Sequence, residues 1–146
     1  MNHTILAIDD SKKILDIIKY FLAQEGYTVK AVSDPVEGIK IAKEGGIDLI
    51  LLDIMMPGMD GYTVCDTLKK DDKTRDIPVV MLTAKAIILH TPKDFFYGLY
   101  GFLAKPFSKQ QLTKVVSEAL RLTKTEHETG GFINNVEGDE TPKPPA

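Results

Sequence analysis

The stretch from Ile47 to Asp53 (Ile-Asp-Leu-Ile-Leu-Leu-Asp) is almost continuously apolar and constrains the fold more than any other segment. A strand with one face in water alternates apolar and polar residues, whereas a strand buried on both faces does not. Such a strand lies inside a parallel sheet, and parallel neighbours need crossover connections, usually helical. The rest of the chain supplies both. Ile5-Leu6-Ala7-Ile8 reads as a first strand, Tyr27 to Val32 as a second, Ile77 to Thr83 as a fourth with Pro78 near its start, and Gly101 to Ala104 as a fifth. Between them, Ile14, Ile17, Ile18, Phe21 and Leu22 mark one helix face, stopped at Gly26. Asp34-Pro35 is an N-cap followed by proline at the first helical position, and Gly45-Gly46 ends that second helix. Tyr62 to Lys70 is a short third helix behind the loop Met56-Pro57-Gly58-Met59-Asp60-Gly61. Ser108-x-x-Gln111 is a capping box opening a last helix with an inner face of Leu112, Val115, Val116, Ala119 and Leu120. Strand and helix alternate five times, which predicts a five-stranded parallel sheet with helices on both faces and right-handed crossovers.

Composition removes several alternatives. The 146 residues make about one domain, and no run approaches the ~18 apolar residues of a membrane span. The start, Met1-Asn2-His3-Thr4, has no signal-peptide character. A single cysteine, Cys65, rules out an internal disulfide framework and a cysteine-rich zinc site. A net charge of -3 argues against a nucleic-acid partner. The expectation is a soluble, cytoplasmic, single-domain protein that binds neither membrane nor nucleic acid. Residues 125–146 hold five acids against one lysine, with three glycines and three prolines, and only Phe132, Ile133 and Val136 as sizeable apolar residues. A segment of that composition is expected to be disordered, leaving 1–124 as the folded domain.

In an open parallel sheet the binding crevice lies beyond the carboxyl ends of the strands. The first strand ends in Asp9-Asp10, the third in Asp53, the fourth in Thr83 and the fifth in Lys105, followed by Pro106. Three carboxylates on one rim repel one another unless a cation intervenes. Magnesium, which takes one or two carboxylates and keeps room for a phosphoryl oxygen, suits such a set. Lys105 adds positive charge and Thr83 a hydroxyl, so the rim can stabilise a transferring phosphoryl group. Asp53, the single acid ending the central strand, is the best candidate nucleophile, giving an aspartyl phosphate. Taken singly, each residue has a plainer use: Asp9-Asp10 as an N-cap, Asp53 as a strand end, Thr83 as a packed strand residue and Lys105 as solvated surface. None of these explains why all five share one rim.

The ordered set Asp9-Asp10, Asp53 with Met56-Pro57-Gly58-Met59-Asp60-Gly61, Thr83-Ala84 and Lys105-Pro106-Phe107 resembles the receiver domain of bacterial two-component response regulators, over about residues 3–124. The resemblance implies a flavodoxin-like (βα)5 fold with strand order 2-1-3-4-5. It implies that Asp53 accepts a phosphoryl group from a sensor histidine kinase or phosphotransfer protein. Asp10, Asp53 and the backbone carbonyl of Met55 would ligate Mg2+, with Asp9 acting through a metal-bound water. Thr83 and Lys105 would contact the phosphoryl oxygens, and the peptide bond before Pro106 would be cis, an isomer only X-Pro bonds adopt cheaply. Phe102 stands at the family's aromatic switch position, here without the hydroxyl of the commoner tyrosine. Movement of Thr83 would let its ring turn inward and remodel the face of the fourth helix, fifth strand and fifth helix, changing binding to an output protein. The protein would be a phosphoacceptor that assists its own phosphorylation, not a turnover enzyme.

The segment from Ala84 to Ala104 departs from the family, with only Lys85, Lys93 and Asp94 charged and with Pro92 inside the expected fourth helix. That helix is expected to be short or shifted. Its apolar residues, within 86–102, either expose a self-association surface or fill the core. Met55 and Lys85 occupy the positions that tune dephosphorylation in the family, and neither can position an attacking water. Two other classes share this architecture or chemistry. A flavin carrier would need a Ser/Thr- or Gly-rich phosphate loop where the acidic Asp9-Asp10-Ser11 stands, and an aspartate-nucleophile phosphohydrolase would need an acid at Met55. A receiver used as an unphosphorylated scaffold is the third alternative.

Overall fold

The computed structural model describes residues 2–84, 99–122 and 133–135. In chain order they form β1 (Thr4–Ile8), α1 (Lys12–Ala23), β2 (Thr28–Val32), α2 (Pro35–Lys43), β3 (Leu49–Asp53), α3 (Gly61–Lys69), β4 (Val79–Ala84), β5 (Gly101–Lys105), a C-terminal helix (Lys109–Leu122) and β6 (Ile133–Asn135). All neighbouring strands are parallel, in the order β2-β1-β3-β4-β5-β6. The first five strands therefore take the expected 2-1-3-4-5 order.

The near-continuous apolar runs follow from two cores, one on each face of the sheet. Leu6, Ile8, Ile50, Leu52, Val79, Met81 and Phe102 point to the side of α2 and α3, where they meet Ala42, Val64, Cys65 and Leu68. Ile5, Ala7, Leu49, Leu51, Val80, Leu82 and Leu103 point to the other side, where they meet Leu15, Ile18 and Leu22 of α1 and Leu112, Val115, Val116 and Ala119 of the C-terminal helix. Alternate residues of one strand thus serve opposite cores, which leaves no position for a polar side chain along Ile5–Ile8, Leu49–Leu52 and Val79–Leu82.

Local signals set the helix ends. The Ser11 hydroxyl accepts the Ile14 N–H at 3.3 Å, so Ser11 caps α1. Asp34 caps α2 ahead of Pro35, and Asp60 caps α3 by accepting the Thr63 N–H at 2.9 Å. The capping box forms in both directions: Ser108 N–H donates to Gln111 Oε1 at 2.9 Å, and Gln111 N–H donates to Ser108 Oγ at 3.1 Å.

The sheet has one strand more than expected. Residues 133–135, inside the segment read as disordered, pair with β5 in the register Gly101↔Ile133, Phe102↔Asn134 and Leu103↔Asn135. Composition averaged over 125–146 hides a local cluster, because Ile133 opens this strand and Phe132 and Val136 flank it in sequence. The two asparagines inside it are poor strand formers, which weakens the signal further. The expected fourth helix and most of the apolar 86–102 region fall on 85–98, outside the described residues. Leu99, Tyr100 and Phe102, the described members of that region, are buried, and the Tyr100 hydroxyl donates to the Glu118 carbonyl at 3.2 Å. They fill core and are not available as a self-association surface.

Candidate phosphoryl and metal site

The site grows from strand ends. Asp9 follows β1 directly, and its N–H donates to Val32 O at 3.2 Å, carrying the β1–β2 pairing one residue further. Its carboxylate is fully buried, with Oδ1 accepting the Ser11 N–H at 2.9 Å. The cap of α1 belongs to Ser11, not to the acid pair, and Asp10 stays exposed. Asp53 ends β3 and is buried, with Oδ1 accepting the Met55 N–H at 3.3 Å. The Met55 side chain itself is 63% exposed.

Lys105, the last residue of β5, closes the rim. Its Nζ lies 2.7 Å from Asp9 Oδ2 and 3.2 Å from Asp53 Oδ1. One carboxylate oxygen from each of Asp9, Asp10 and Asp53 lies within 4.8 Å of the other two. Burial, and then the Asp9 charge, push the Asp53 carboxyl up to about 6, while Lys105 and the Met55 N–H pull against that shift. One ammonium therefore does not neutralise the cluster. A hard cation with oxygen ligands is what the donor set suits: three carboxylates, no nitrogen or sulfur donor among them, with Asp10 exposed to solvent.

Thr83 lies one residue beyond Leu82, the β4 partner of Asp53. Its Oγ1 is the one buried side-chain polar atom without a hydrogen-bond partner among the described residues. Leaving a buried hydroxyl unpaired costs about 1–3 kcal/mol, so the position fits an acceptor that arrives from outside the chain.

One determinant escapes sequence reading. Gly61, read as loop punctuation, is the first residue of α3 and donates its N–H to Ile54 O at 2.8 Å. A Cβ on Gly61 would lie 2.5 Å from Asp53 O and 2.7 Å from Ile54 Cα. The glycine lets α3 start directly over the end of β3, and its place immediately after the cap Asp60 is the only sequence hint. Phe102 is fully buried in the core shared with α2 and α3, so its ring is already inward here. The Lys105–Pro106 peptide bond is cis.

The model of the response regulator receiver domain matches residues 5–117. Among curated relatives, the chain is 40% identical over 119 residues to the DNA-binding dual master transcriptional regulator RpaA of Synechocystis, covering 82% of this chain and 49% of that protein. It is 37% identical over 123 residues to the probable transcriptional regulator ycf27 of Cyanidium caldarium, covering 84% and 48%. The chain thus spans about half the length of these relatives. Among solved structures, a response regulator receiver domain protein of Clostridium thermocellum superimposes with a TM-score of 0.75 at 30% identity, covering 84% of this chain and 97% of that one. The receiver domain of the sensor histidine kinase PA1611 of Pseudomonas aeruginosa, which holds a magnesium ion in its active site cleft, superimposes with a TM-score of 0.74 at 27% identity, covering 83% and 99%.

Proposed function

The chain belongs to the response regulator receiver domain family, and from that premise we propose that Asp53 accepts a phosphoryl group and that the fold reports its presence to a protein partner. The observation that carries the proposal is the convergence of Asp9, Asp10 and Asp53 on one strand-end rim, each with an oxygen within 4.8 Å of the others, and with Lys105 between Asp9 and Asp53. The donor is a phosphohistidine of a sensor histidine kinase or phosphotransfer protein. An Asp53 oxygen attacks phosphorus, the P–N bond breaks, and its electron pair returns to the imidazole nitrogen, which is then protonated. Lys105 offsets negative charge on the phosphoryl oxygens, and Thr83 Oγ1 donates the hydrogen bond for which it has no partner among the described residues. Asp10, Asp53 and the Met55 carbonyl would hold Mg2+, with the buried Asp9 adding charge behind them. Bound there, the ion supplies the positive charge that Lys105 alone does not.

The response runs through β4 and β5. Thr83 is paired in register with Ala104, two residues from Phe102, so a shift of Thr83 toward a phosphoryl group bears on the β5 backbone. The side of the molecule carried by β5 and the C-terminal helix is the proposed output face. Residues 1–124 would be the receiver unit, with 125–146 an appended segment, and the setting would be cytoplasmic. The chain acts as phosphoacceptor and assists its own phosphorylation. With Met55 and Lys85 unable to position a water, the aspartyl phosphate is expected to outlast seconds.

Incubation with a small-molecule phosphodonor, read by intact mass, tests the proposal. One phosphoryl group should add with Mg2+, and almost none with a chelator. Labelling that survives Asp53→Asn would overturn it.

A further inference from the structure

β6 lies beyond the matched family region, which ends at residue 117. It follows the C-terminal helix and joins β5 in parallel, so it repeats the strand–helix–strand unit once more and sits at the sheet edge. It also lies beside the C-terminal helix. Without it, β5 would be the edge strand, with a row of outward N–H and C=O groups open to another chain. With it, three successive β5 residues, Gly101, Phe102 and Leu103, are paired on both sides, to β4 and to β6.

We propose that the outer edge of β5 is a strand-docking site, and that its occupant in this chain is its own segment 133–135, held there as a tethered ligand. Three features support this occupant. The pairing is in a defined register. The tail concentrates its only sizeable apolar residues, Phe132, Ile133 and Val136, around this strand, between Gly130-Gly131 on one side and acidic, proline-containing sequence on the other. The three paired residues form a short ladder, which a tether can hold by effective concentration and a competing strand can displace. A partner adding an extended segment to β5 would have to compete with it. The site does not involve Asp53, and it stands or falls apart from the phosphoryl chemistry.

The test uses the full chain with Asn134→Pro, and separately with Ile133→Pro and Asn135→Pro together. Proline removes a ladder donor and is not accommodated inside a paired strand. The β5 amides facing away from β4 should exchange hydrogen roughly tenfold faster or more in at least one of these variants than in the unmodified chain. Adding a synthetic peptide of residues 130–138 at about 1 mM, the regime of a short tether, should restore slow exchange, whereas a scrambled peptide should not. Amide exchange at 101–103 unchanged in both variants overturns the proposal, and so does a peptide that gives the variants no protection.

Discussion

Asp53 ends β3 with its carboxylate almost out of reach of water and close to that of Asp9, and the two share one ammonium. Burial first, and the Asp9 charge second, raise the Asp53 carboxyl to about 6 from an ordinary 3.8. A raised acid stabilises the folded chain fully below its unfolded pKa, and that contribution is lost as pH rises through the folded value. Thermal melts of the metal-free protein should therefore show the unmodified chain falling behind Asp53→Asn between about pH 4 and pH 7, by roughly 1–3 kcal/mol in total. A gap independent of pH would contradict this. Protons also compete with a cation for Asp53, so Mg2+ affinity measured by calorimetry should weaken as pH drops through about 6. Replacing Lys105 with methionine leaves the two buried carboxylates without their cation. Phosphodonor labelling of Lys105→Met should slow by about tenfold or more, in line with the loss of one charge-stabilising group. An unchanged rate would mean that Lys105 only fills space.

Among the elements, α3 is bound most closely to the site, because Gly61 lets its first turn sit over the end of β3. Gly61→Ala brings a methyl group into the Asp53 carbonyl and the Ile54 backbone, neither of which can swing aside. Urea unfolding should show a loss of about 1–3 kcal/mol, with slower labelling because the β3 end is displaced. Wild-type stability in that variant would mean that α3 can start further out. The sequence patterns carried the strands and helices well where chemistry was local. The capping box at Ser108 and Gln111 and the proline at the start of α2 appear as read, because each depends on residues a few positions apart. Two features were not legible. The role of Gly61 depends on an approach between backbones, and a glycine in a loop looks the same whether it turns or yields space. β6 depends on an edge that only the assembled sheet offers, and its asparagines give no period-two signal.

At the scale of the molecule, topology gathers residues from positions 9 to 105 onto one rim. The order β2-β1-β3-β4-β5 places the ends of β1, β3, β4 and β5 side by side. That gathering was legible because every contributor follows an apolar run, so the strand ends could be counted. The burial of Asp9 against the exposure of Asp10 was not, since adjacent acids look alike until the turn into α1 sorts them. A cation that binds the folded site and not the unfolded chain stabilises the fold by mass action. Mg2+ at about a hundredfold above its dissociation constant should therefore stabilise the chain by roughly 2–3 kcal/mol, and Asp53→Asn should lose most of that gain. The central claim is that phosphate lands on one particular carboxylate of three. Fragmentation mass spectrometry of the phosphodonor-treated protein, after trapping the acyl phosphate, reads this directly. The modification is predicted on Asp53 alone, and a signal on Asp9, on Asp10 or spread among the three would contradict the account.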